Sequence, residues 1–350
     1  MSNVLRRTLL PVAVLAIAAS GPVFAQAGKT VRIIQTNAAG DNSHVIDPTT
    51  NTVVAVIEGT EVPHGVTAAP DGTRLYITNE SMHSLDVVDT ATWKVIKQIH
   101  LSGRPNNVAV SKDGKKVYCA IAQAPGAVDV IDAVALTNVK SVAVDGSIHN
   151  VYVTPDGKFA VAGSIPTSTI NVIDTATDTL AWKLKMTSGI RPMIFDVNRD
   201  GSTRNIYVQL SDYHGIAVVD FATRKETRRW ELPAVPGEHK ELEGLQGAPA
   251  HGLAVTPDQK MLLATSKWYG TMYAYSIPDY RLLGTVVVGS HPEWVTLTPD
   301  GRMAYLGVAG EDETVAVDLT TLKVASRIKV GNVPKRIGTL VMTGTGRTLR

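Results

Sequence analysis

The chain has 350 residues, 44% of them hydrophobic, with 34 Lys and Arg against 32 Asp and Glu. This near balance of charge gives no electrostatic reason to expect a nucleic acid or an anionic membrane as partner. Cys119 is the single cysteine, which excludes an intramolecular disulfide, and its position in an apolar run predicts a buried, unreactive thiol.

Residues 1–25 have the pattern of a secretory signal peptide. Arg6 and Arg7 precede an apolar run, and small residues lead to a cleavage site after Ala25. The run is shorter than the roughly 20 residues that a membrane anchor needs, and the arginine pair matches a twin-arginine signal only in part, so we expect an ordinary export signal. The mature chain should be a periplasmic or secreted monomer without a transmembrane span.

Residues 26–350 repeat one pattern seven times. In the first copy, Pro63-His64-Gly65-Val66 precedes the turn Pro70-Asp71-Gly72, followed by the runs 75–79 and 86–89. Later copies start 42 to 58 residues apart, at Pro105, Ile148, Pro192, Ala250, Pro292 and Pro334. A period of about 40–45 residues that holds four short β-branched runs is the size of one β-propeller blade.

Two kinds of turn separate these runs. Pro-Asp-Gly segments predict hairpins in which glycine adopts a positive φ. Aspartates at corners such as Ile46-Asp47-Pro48 and Ile173-Asp174-Thr175 are placed to accept hydrogen bonds from backbone amides two residues on. No helical periodicity of useful length appears, so the sequence predicts an all-β fold.

The two ends of the chain complete each other. The seventh copy stops after its first strand, at about 337–340, and three further runs lie near the N-terminus, at 31–36, 43–46 and 52–57. We therefore predict one seven-bladed β-propeller with four-stranded blades. Three N-terminal strands and one C-terminal strand would form the shared blade that closes the ring and leaves no open edge.

The repeats resemble the YVTN family of β-propellers. The family is named after a Tyr-Val-Thr-Asn motif, which Leu75-Tyr76-Ile77-Thr78-Asn79 matches with one conservative difference. The resemblance covers essentially the whole mature chain. It implies the fold and says little about function, because members include exported proteins and propeller parts of larger enzymes. More distant relatives of this shape include lactonases and redox enzymes.

Ligands of propellers usually bind at one mouth of the central channel. Aligning the copies places one polar or large residue per blade around this mouth: His64, Asn106, His149, Met193, His251, Glu293 and Lys335. His64, His149 and His251 could hold a divalent transition metal such as zinc, with Glu293 as a fourth ligand or a base. Alternatively, the histidines only line a polar, wet opening.

Loops between the second and third strands bring further side chains to the same face, among them Glu80, His83, Tyr213, His214, Lys267, Trp268 and Tyr269. Exposed aromatic rings could stack on a sugar, a ring or a peptide; the alternative is that Trp268 packs against the next blade. An insertion at about 233–249, which contains His239, is either a lid over the mouth or a tolerated surface loop.

These features favour an exported binding or scaffold protein whose channel mouth takes a small molecule or a partner protein. An alternative is a lactonase-like or metal-dependent hydrolase. Val62-Pro63-His64-Gly65 and Thr78-Asn79-Glu80 loosely resemble lactonase propellers. That resemblance implies His64 or His251 as base and Arg191 or Arg336 as the group that holds an anion. A third alternative is the propeller module of a periplasmic redox system.

Overall fold

The structure, a computed structural model, describes residues 28–235 and 248–343. In these ranges the chain forms 28 β-strands arranged as seven four-stranded antiparallel sheets. The predicted signal peptide, His239 and most of the 233–249 insertion lie outside the described residues. No helix in the two described ranges is long and apolar enough to cross a membrane.

Each sheet is one blade of the propeller. The first three strands belong to the closing blade, blade 7: β1 (Lys29–Asn37), β2 (Asn42–Asp47) and β3 (Thr52–Glu58). Blade 1 consists of β4 (Pro63–Ala68), β5 (Arg74–Asn79), β6 (Ser84–Asp89) and β7 (Lys94–His100). Blade 2 consists of β8 (Pro105–Val110), β9 (Lys116–Ile121), β10 (Ala127–Asp132) and β11 (Thr137–Ala143). Blade 3 consists of β12 (Ile148–Val153), β13 (Phe159–Ser164), β14 (Thr169–Asp174) and β15 (Thr179–Lys185).

The second half of the ring repeats this order. Blade 4 consists of β16 (Ile190–Val197), β17 (Thr203–Leu210), β18 (Tyr213–Asp220) and β19 (Lys225–Glu231). Blade 5 consists of β20 (Ala250–Val255), β21 (Met261–Ser266), β22 (Thr271–Ser276) and β23 (Leu282–Val287). Blade 6 consists of β24 (Pro292–Leu297), β25 (Met303–Val308), β26 (Glu313–Asp318) and β27 (Lys323–Lys329). The last strand, β28 (Pro334–Thr343), completes blade 7.

The first strand of each blade lines the central channel, because β4, β8, β12, β16, β20, β24 and β28 contact one another in a closed cycle. β28 pairs with β1 over its whole length, from Asn37 opposite Pro334 to Lys29 opposite Thr343. The prediction of a seven-bladed ring closed by three N-terminal strands and one C-terminal strand is confirmed. Closure pairs a strand edge that would otherwise be free to aggregate.

Aspartates fix the turns in the predicted way. Asp47 Oδ1 accepts the Thr49 amide at 2.8 Å, and Asp174 Oδ1 accepts the Ala176 amide at 2.8 Å, each between the third and fourth strands of its blade. These bonds replace backbone partners that the turn cannot supply. Cys119 is fully buried in β9, and burial raises the pKa of its thiol well above its usual value, as predicted for an unreactive cysteine.

Buried tyrosines connect neighbouring blades. Tyr305 donates its hydroxyl hydrogen bond to Asn51 Oδ1 at 2.7 Å, which joins blade 6 to the closing blade. Tyr118 likewise donates to Asp178 Oδ1 at 2.9 Å, from blade 2 to blade 3. Tyr118 and Tyr305, which occupy the position of Tyr76 in the YVTN-like segment, therefore have a structural role, since each ring is buried and each hydroxyl reaches a turn of the next blade.

Two glycines in equivalent turns test the contact between blade 1 and the closing blade. Gly72 and Gly201 both have a positive φ, of 73° and 82°. A methyl group on Gly72 would overlap the carbonyl oxygen of Val341 in β28, whereas one on Gly201 would meet nothing within 4 Å.

We expect Gly201→Ala to lower the free energy of unfolding by about 1–2 kcal/mol, the cost of alanine in this conformation. Gly72→Ala should lower it by about 1–3 kcal/mol more, because overpacking is added. Chemical denaturation of both variants measures the difference. Equal losses would mean that β28 accommodates a methyl group at Gly72 without an overpacking cost.

Candidate functional site

The strand pairing defines which residues share a level around the channel. Met193 pairs with Val208, the register that Val66 has with Ile77 in blade 1. Met193 is therefore equivalent to Val66 and is buried in the core between blades 3 and 4, so its predicted position at the channel mouth was wrong. The position equivalent to His64 is Arg191.

The corrected ring has one residue from the second position of each inner strand: His64, Asn106, His149, Arg191, His251, Glu293 and Lys335. A cavity of about 500 Å³ opens at this level. Its walls include six of these seven residues, and Glu80, Arg104, Lys267 and Trp294 complete the polar and aromatic lining. The size lies within the usual range of sites for small molecules.

Trp294, the third residue of β24, lies among the three histidines. Its ring centroid is 4.1 Å from that of His251, 5.7 Å from that of His64 and 6.4 Å from that of His149. The guanidinium of Arg336 stacks on the indole at 3.9 Å. Trp294 did not appear among the sequence-predicted site residues, and it has the most central position of all.

This geometry does not support the metal hypothesis. His64, His149 and His251 surround an indole ring instead of converging on one point. Within residues 28–235 and 248–343, no group of three His, Cys, Asp or Glu side chains is placed to hold a metal ion. A zinc site would need ring nitrogens at about 2.1 Å from a common centre.

His64 and Glu80 form a close pair at the wall of the cavity. His64 Nδ1 and Glu80 Oε1 are 2.6 Å apart, and Arg104 Nη1 binds the other carboxylate oxygen at 3.0 Å. Burial lowers the pKa of His64, although the hydrogen bond and the charge of Glu80 act in the opposite direction. The imidazole is therefore neutral at pH 7. Its Nε2 is buried and has no hydrogen-bond partner among the described residues.

Glu293, which directly precedes Trp294 on β24, is the centre of a second cluster. Glu293 Oε1 binds Lys267 Nζ at 2.7 Å and Lys335 Nζ at 3.3 Å, and Oε2 is 3.2 Å from His251 Nδ1. Burial raises the pKa of the Glu293 carboxyl, but the two ammonium charges outweigh it, so the pKa is lowered overall. The carboxylate is ionised and buried.

Two guanidinium groups at this end of the channel have no carboxylate partner among the described residues. Arg191 Nε donates to Ser211 Oγ at 2.9 Å. Arg336 is 4% exposed and donates to the side-chain oxygens of Asn106, Asn150 and Tyr152. Burial lowers the pKa of both groups, yet a guanidinium stays charged in proteins.

His149 and His251 are uncharged, as His64 is. Burial lowers the pKa of each well below its usual value. The charges of Arg336 and Arg191 lower that of His149 further, and Lys267 does so for His251. The three histidines thus offer neutral imidazoles in a cationic surrounding.

Among the described residues, several buried polar atoms around Trp294 have no hydrogen-bond partner: His64 Nε2, Trp294 Nε1 and Arg336 Nε. His251 Nδ1 and Glu293 Oε2 are 3.2 Å apart but are not aligned for a hydrogen bond. Proteins satisfy the large majority of such atoms, and unsatisfied ones in a cluster mark a place where water, an ion or a ligand binds. The arrangement can therefore accept a polar molecule.

The predicted aromatic face is separate from this cavity. Tyr213 and His214 begin β18 instead of forming a loop, and Arg229 covers the Tyr213 ring at 5.1 Å. Trp268 is 39% exposed and stacks on His214 of the neighbouring blade at 5.2 Å. Tyr269 contacts the same histidine edge-on. Trp268 thus both packs against the next blade and stays partly exposed. The cavity lining contains none of the four residues Tyr213, His214, Trp268 and Tyr269.

Comparisons with known proteins agree with the fold. A family model described as the cytochrome D1 heme domain matches residues 6–164, less than half of the chain. A comparison with curated protein sequences gives no match. The chain is a β-propeller, and the narrower YVTN designation stays a prediction.

Three similar solved structures illustrate the range of proteins with this fold. Hydrazine synthase of Kuenenia stuttgartiensis is 20% identical with a TM-score of 0.71, over 81% of this chain and 91% of that one. The dihydro-heme d1 dehydrogenase NirN is 17% identical with a TM-score of 0.64, over 90% and 66%. The periplasmic gluconolactonase PpgL of Pseudomonas aeruginosa is 18% identical with a TM-score of 0.70, over 89% and 99%. At these identities the likeness is one of fold.

The family description implies a haem group, and the donor set can be tested against it. A histidine that ligates a metal usually has its other ring nitrogen bound to a carboxylate. His64 has this arrangement, with Nδ1 on Glu80 and a buried Nε2 without a partner. The surrounding cations suit the carboxylate side chains of a haem. The residues present therefore fit such a group through a single histidine.

Proposed function

We propose that this chain binds an anionic small molecule at the channel mouth. The observation that carries the proposal is the excess of positive charge around the cavity. Within residues 28–235 and 248–343, two carboxylates, Glu80 and Glu293, face five cationic side chains at or directly beneath the cavity: Arg104, Arg191, Lys267, Lys335 and Arg336. A cleft of one charge sign concentrates ligands of the opposite sign.

The surroundings strengthen this electrostatic preference. The three histidines are neutral, so they add hydrogen-bonding capacity without further charge. Trp294 provides an apolar edge against which the body of the ligand can pack. Because these walls exclude part of the solvent, charge-assisted hydrogen bonds are stronger here than on an open surface.

A haem-type macrocycle with carboxylate side chains belongs to this class of ligand. His64 would hold its iron, and Arg191 and Lys335 would hold its carboxylates. When bound, such a group supplies electron transfer or redox chemistry. In that case the chain would be the propeller of a redox system, as one of the sequence hypotheses has it.

A titration with citrate tests the proposal. We expect citrate to bind the mature protein in a 1:1 complex that weakens as sodium chloride is raised, because exposed charge attraction is screened. Arg191→Gln should weaken citrate binding about tenfold or more, the range of a lost charge-assisted hydrogen bond. Isothermal titration calorimetry at low ionic strength measures both effects.

Arg281→Gln is the matched control, since Arg281 is exposed in a turn of blade 5, away from the cavity lining. It removes the same charge and should leave citrate binding unchanged. If citrate and simpler carboxylates give no binding to the wild type, the proposal fails. If both variants lose affinity equally, the effect comes from net charge and the channel mouth is not the site.

A second candidate function is the hydrolytic opening of a lactone, which the His64–Glu80 pair favours. Neutral His64 could take a proton from water at Nε2 while that water attacks the lactone carbonyl. The oxyanion would then be stabilised by the neighbouring cations. The ring C–O bond would break and the proton would pass to the leaving oxygen, which yields a hydroxy acid. PpgL is described as a gluconolactonase, and the same substrate class is the first to test here.

Export and assembly are part of the same proposal. We infer a periplasmic protein from residues 1–25, which have the pattern of a signal peptide, and PpgL is described as periplasmic. The monomeric state and the binding of a partner protein stay predictions.

A further inference from the structure

We propose that the ligand of the channel mouth carries at least two anionic groups, one bound at Arg191 on blade 4 and the other at the cations of blade 7. This inference rests on the proposed function, anion binding at the mouth, and deepens it by naming the ligand class. The class is small di- and tricarboxylates.

The charges at the channel mouth do not balance. Glu80 neutralises Arg104, its ion-pair partner at 3.0 Å. Glu293 forms its shorter ion pair with Lys267, at 2.7 Å, and shares the same oxygen with Lys335 at 3.3 Å. Among the described residues at the mouth, Lys335, Arg191 and Arg336 thus leave a surplus of three positive charges. One monocarboxylate would compensate only a third of it.

The positive charges that Glu80 and Glu293 do not compensate lie on two separate blades. Arg191 is on β16 of blade 4, while Lys335 and Arg336 are consecutive on β28 of blade 7. Blades 4 and 7 are three positions apart in a ring of seven, so these groups approach the mouth from well-separated directions. Two anionic groups on one molecule can satisfy both sides, whereas a single carboxylate can satisfy one.

Arg336 is nearly fully buried, at 4% exposure, so water screens its positive charge poorly. Uncompensated charge in such surroundings is costly. A ligand with two or more negative charges removes more of this cost than a ligand with one, which makes the second charge a source of selectivity.

The experiment compares four probes of similar size at constant ionic strength: butyrate, succinamate, succinate and citrate. We expect succinate and citrate to bind at least about tenfold tighter than butyrate and succinamate, a factor that corresponds to about 1.4 kcal/mol. In Arg191→Gln this preference should disappear, because one of the two anchoring sites is lost. Arg191→Lys keeps the charge and should restore part of the preference.

The outcomes separate the two proposals. Equal affinity for succinate and succinamate would overturn the requirement for two anionic groups and leave anion binding intact. No binding of any probe would overturn the proposed function itself. Circular dichroism and the unfolding midpoint of each variant check its fold, and Arg191→Lys provides the answer if Arg191→Gln does not fold.

Discussion

Glu293→Gln is expected to lower the free energy of unfolding by about 3 kcal/mol. Breaking a buried ion pair by removing one partner costs about 3–5 kcal/mol, because the remaining charge stays desolvated. We place the effect at the lower end because Lys335 is 24% exposed and can turn toward water. Glutamine keeps the shape of Glu293 and removes only the charge, so chemical denaturation at pH 7 reports the electrostatic contribution.

Glu226→Gln is the matched control. Glu226 pairs with Arg229 on the outer strand of blade 4, where both side chains are more than a quarter exposed. The loss there should stay below about 1 kcal/mol. Similar losses in the two variants would show that Glu293 is less desolvated than its surroundings indicate.

Citrate binding is a second measurement that can be made on Glu293→Gln. Glu293→Gln adds one positive charge to the surplus at the channel mouth, so citrate should bind it at least as tightly as the wild type. Citrate should also raise its unfolding midpoint by more, since a ligand stabilises the state to which it binds. Weaker citrate binding would mean that Glu293 holds the lysines in their binding positions.

The fold could be predicted because the sequence repeats it seven times. Most copies have a turn such as Pro70-Asp71-Gly72 that requires a positive φ, and an aspartate such as Asp174 that caps the turn between the third and fourth strands. These are local requirements that a single sequence displays. The closing blade followed from counting, because a lone strand at one end of the chain needs the three strands at the other end.

The candidate site was predicted less completely, and Met193 shows one reason. Prolines open the inner strands of blades 1, 2, 6 and 7, so the sequence pattern predicts Pro192 as the start of blade 4. In the structure, β16 begins two residues earlier, at Ile190. An alignment shifted by two residues keeps the side chain on the same face of the strand but moves it along the channel. The sequence alignment therefore placed Met193 at the position that Arg191 occupies.

Trp294 shows a second reason. The third residue of an inner strand is glycine in blades 1 and 5, and tryptophan in blade 6. Alignment of the copies therefore did not indicate a site residue at this position. Only the closed ring brings the indole of Trp294 against His251 and under the guanidinium of Arg336. Contacts across a channel between residues distant in sequence depend on side-chain volume, which the repeat pattern does not encode.

Similarity of fold adds little to the choice of function. As many as 1693 chains of known structure match this one, and the three described above have different names and different reactions. The propeller supplies a rigid ring of strand ends, and each member places its own side chains there. What distinguishes this chain is the pair His64–Glu80, the buried Glu293 cluster, and Arg191 and Arg336, which have no carboxylate partner in the part of the chain that the structure describes.

Replacing His64 should have the largest effect on any hydrolysis of a lactone. With D-glucono-1,5-lactone as substrate, we expect His64→Asn to lower kcat/KM by about 10²–10⁴, the range for loss of a general base. His83→Asn is the control, because His83 is exposed in the loop that also carries Glu80. Rates are corrected for spontaneous hydrolysis in the same buffer. Absence of any enzymatic rate in the wild type would remove this candidate function.

The dependence on pH distinguishes a catalytic base from a merely structural histidine. Burial lowers the pKa of His64 from 6.5, so kcat/KM should be constant above that pH and fall as the solution is made more acidic. Glu80 acts to raise this pKa through its hydrogen bond and charge. Glu80→Gln should therefore move the acidic limb to lower pH and also reduce the plateau, because the imidazole loses the partner that orients it. An acidic limb that stays in place in Glu80→Gln would assign the titration to another group, and His251 would be the next base to test.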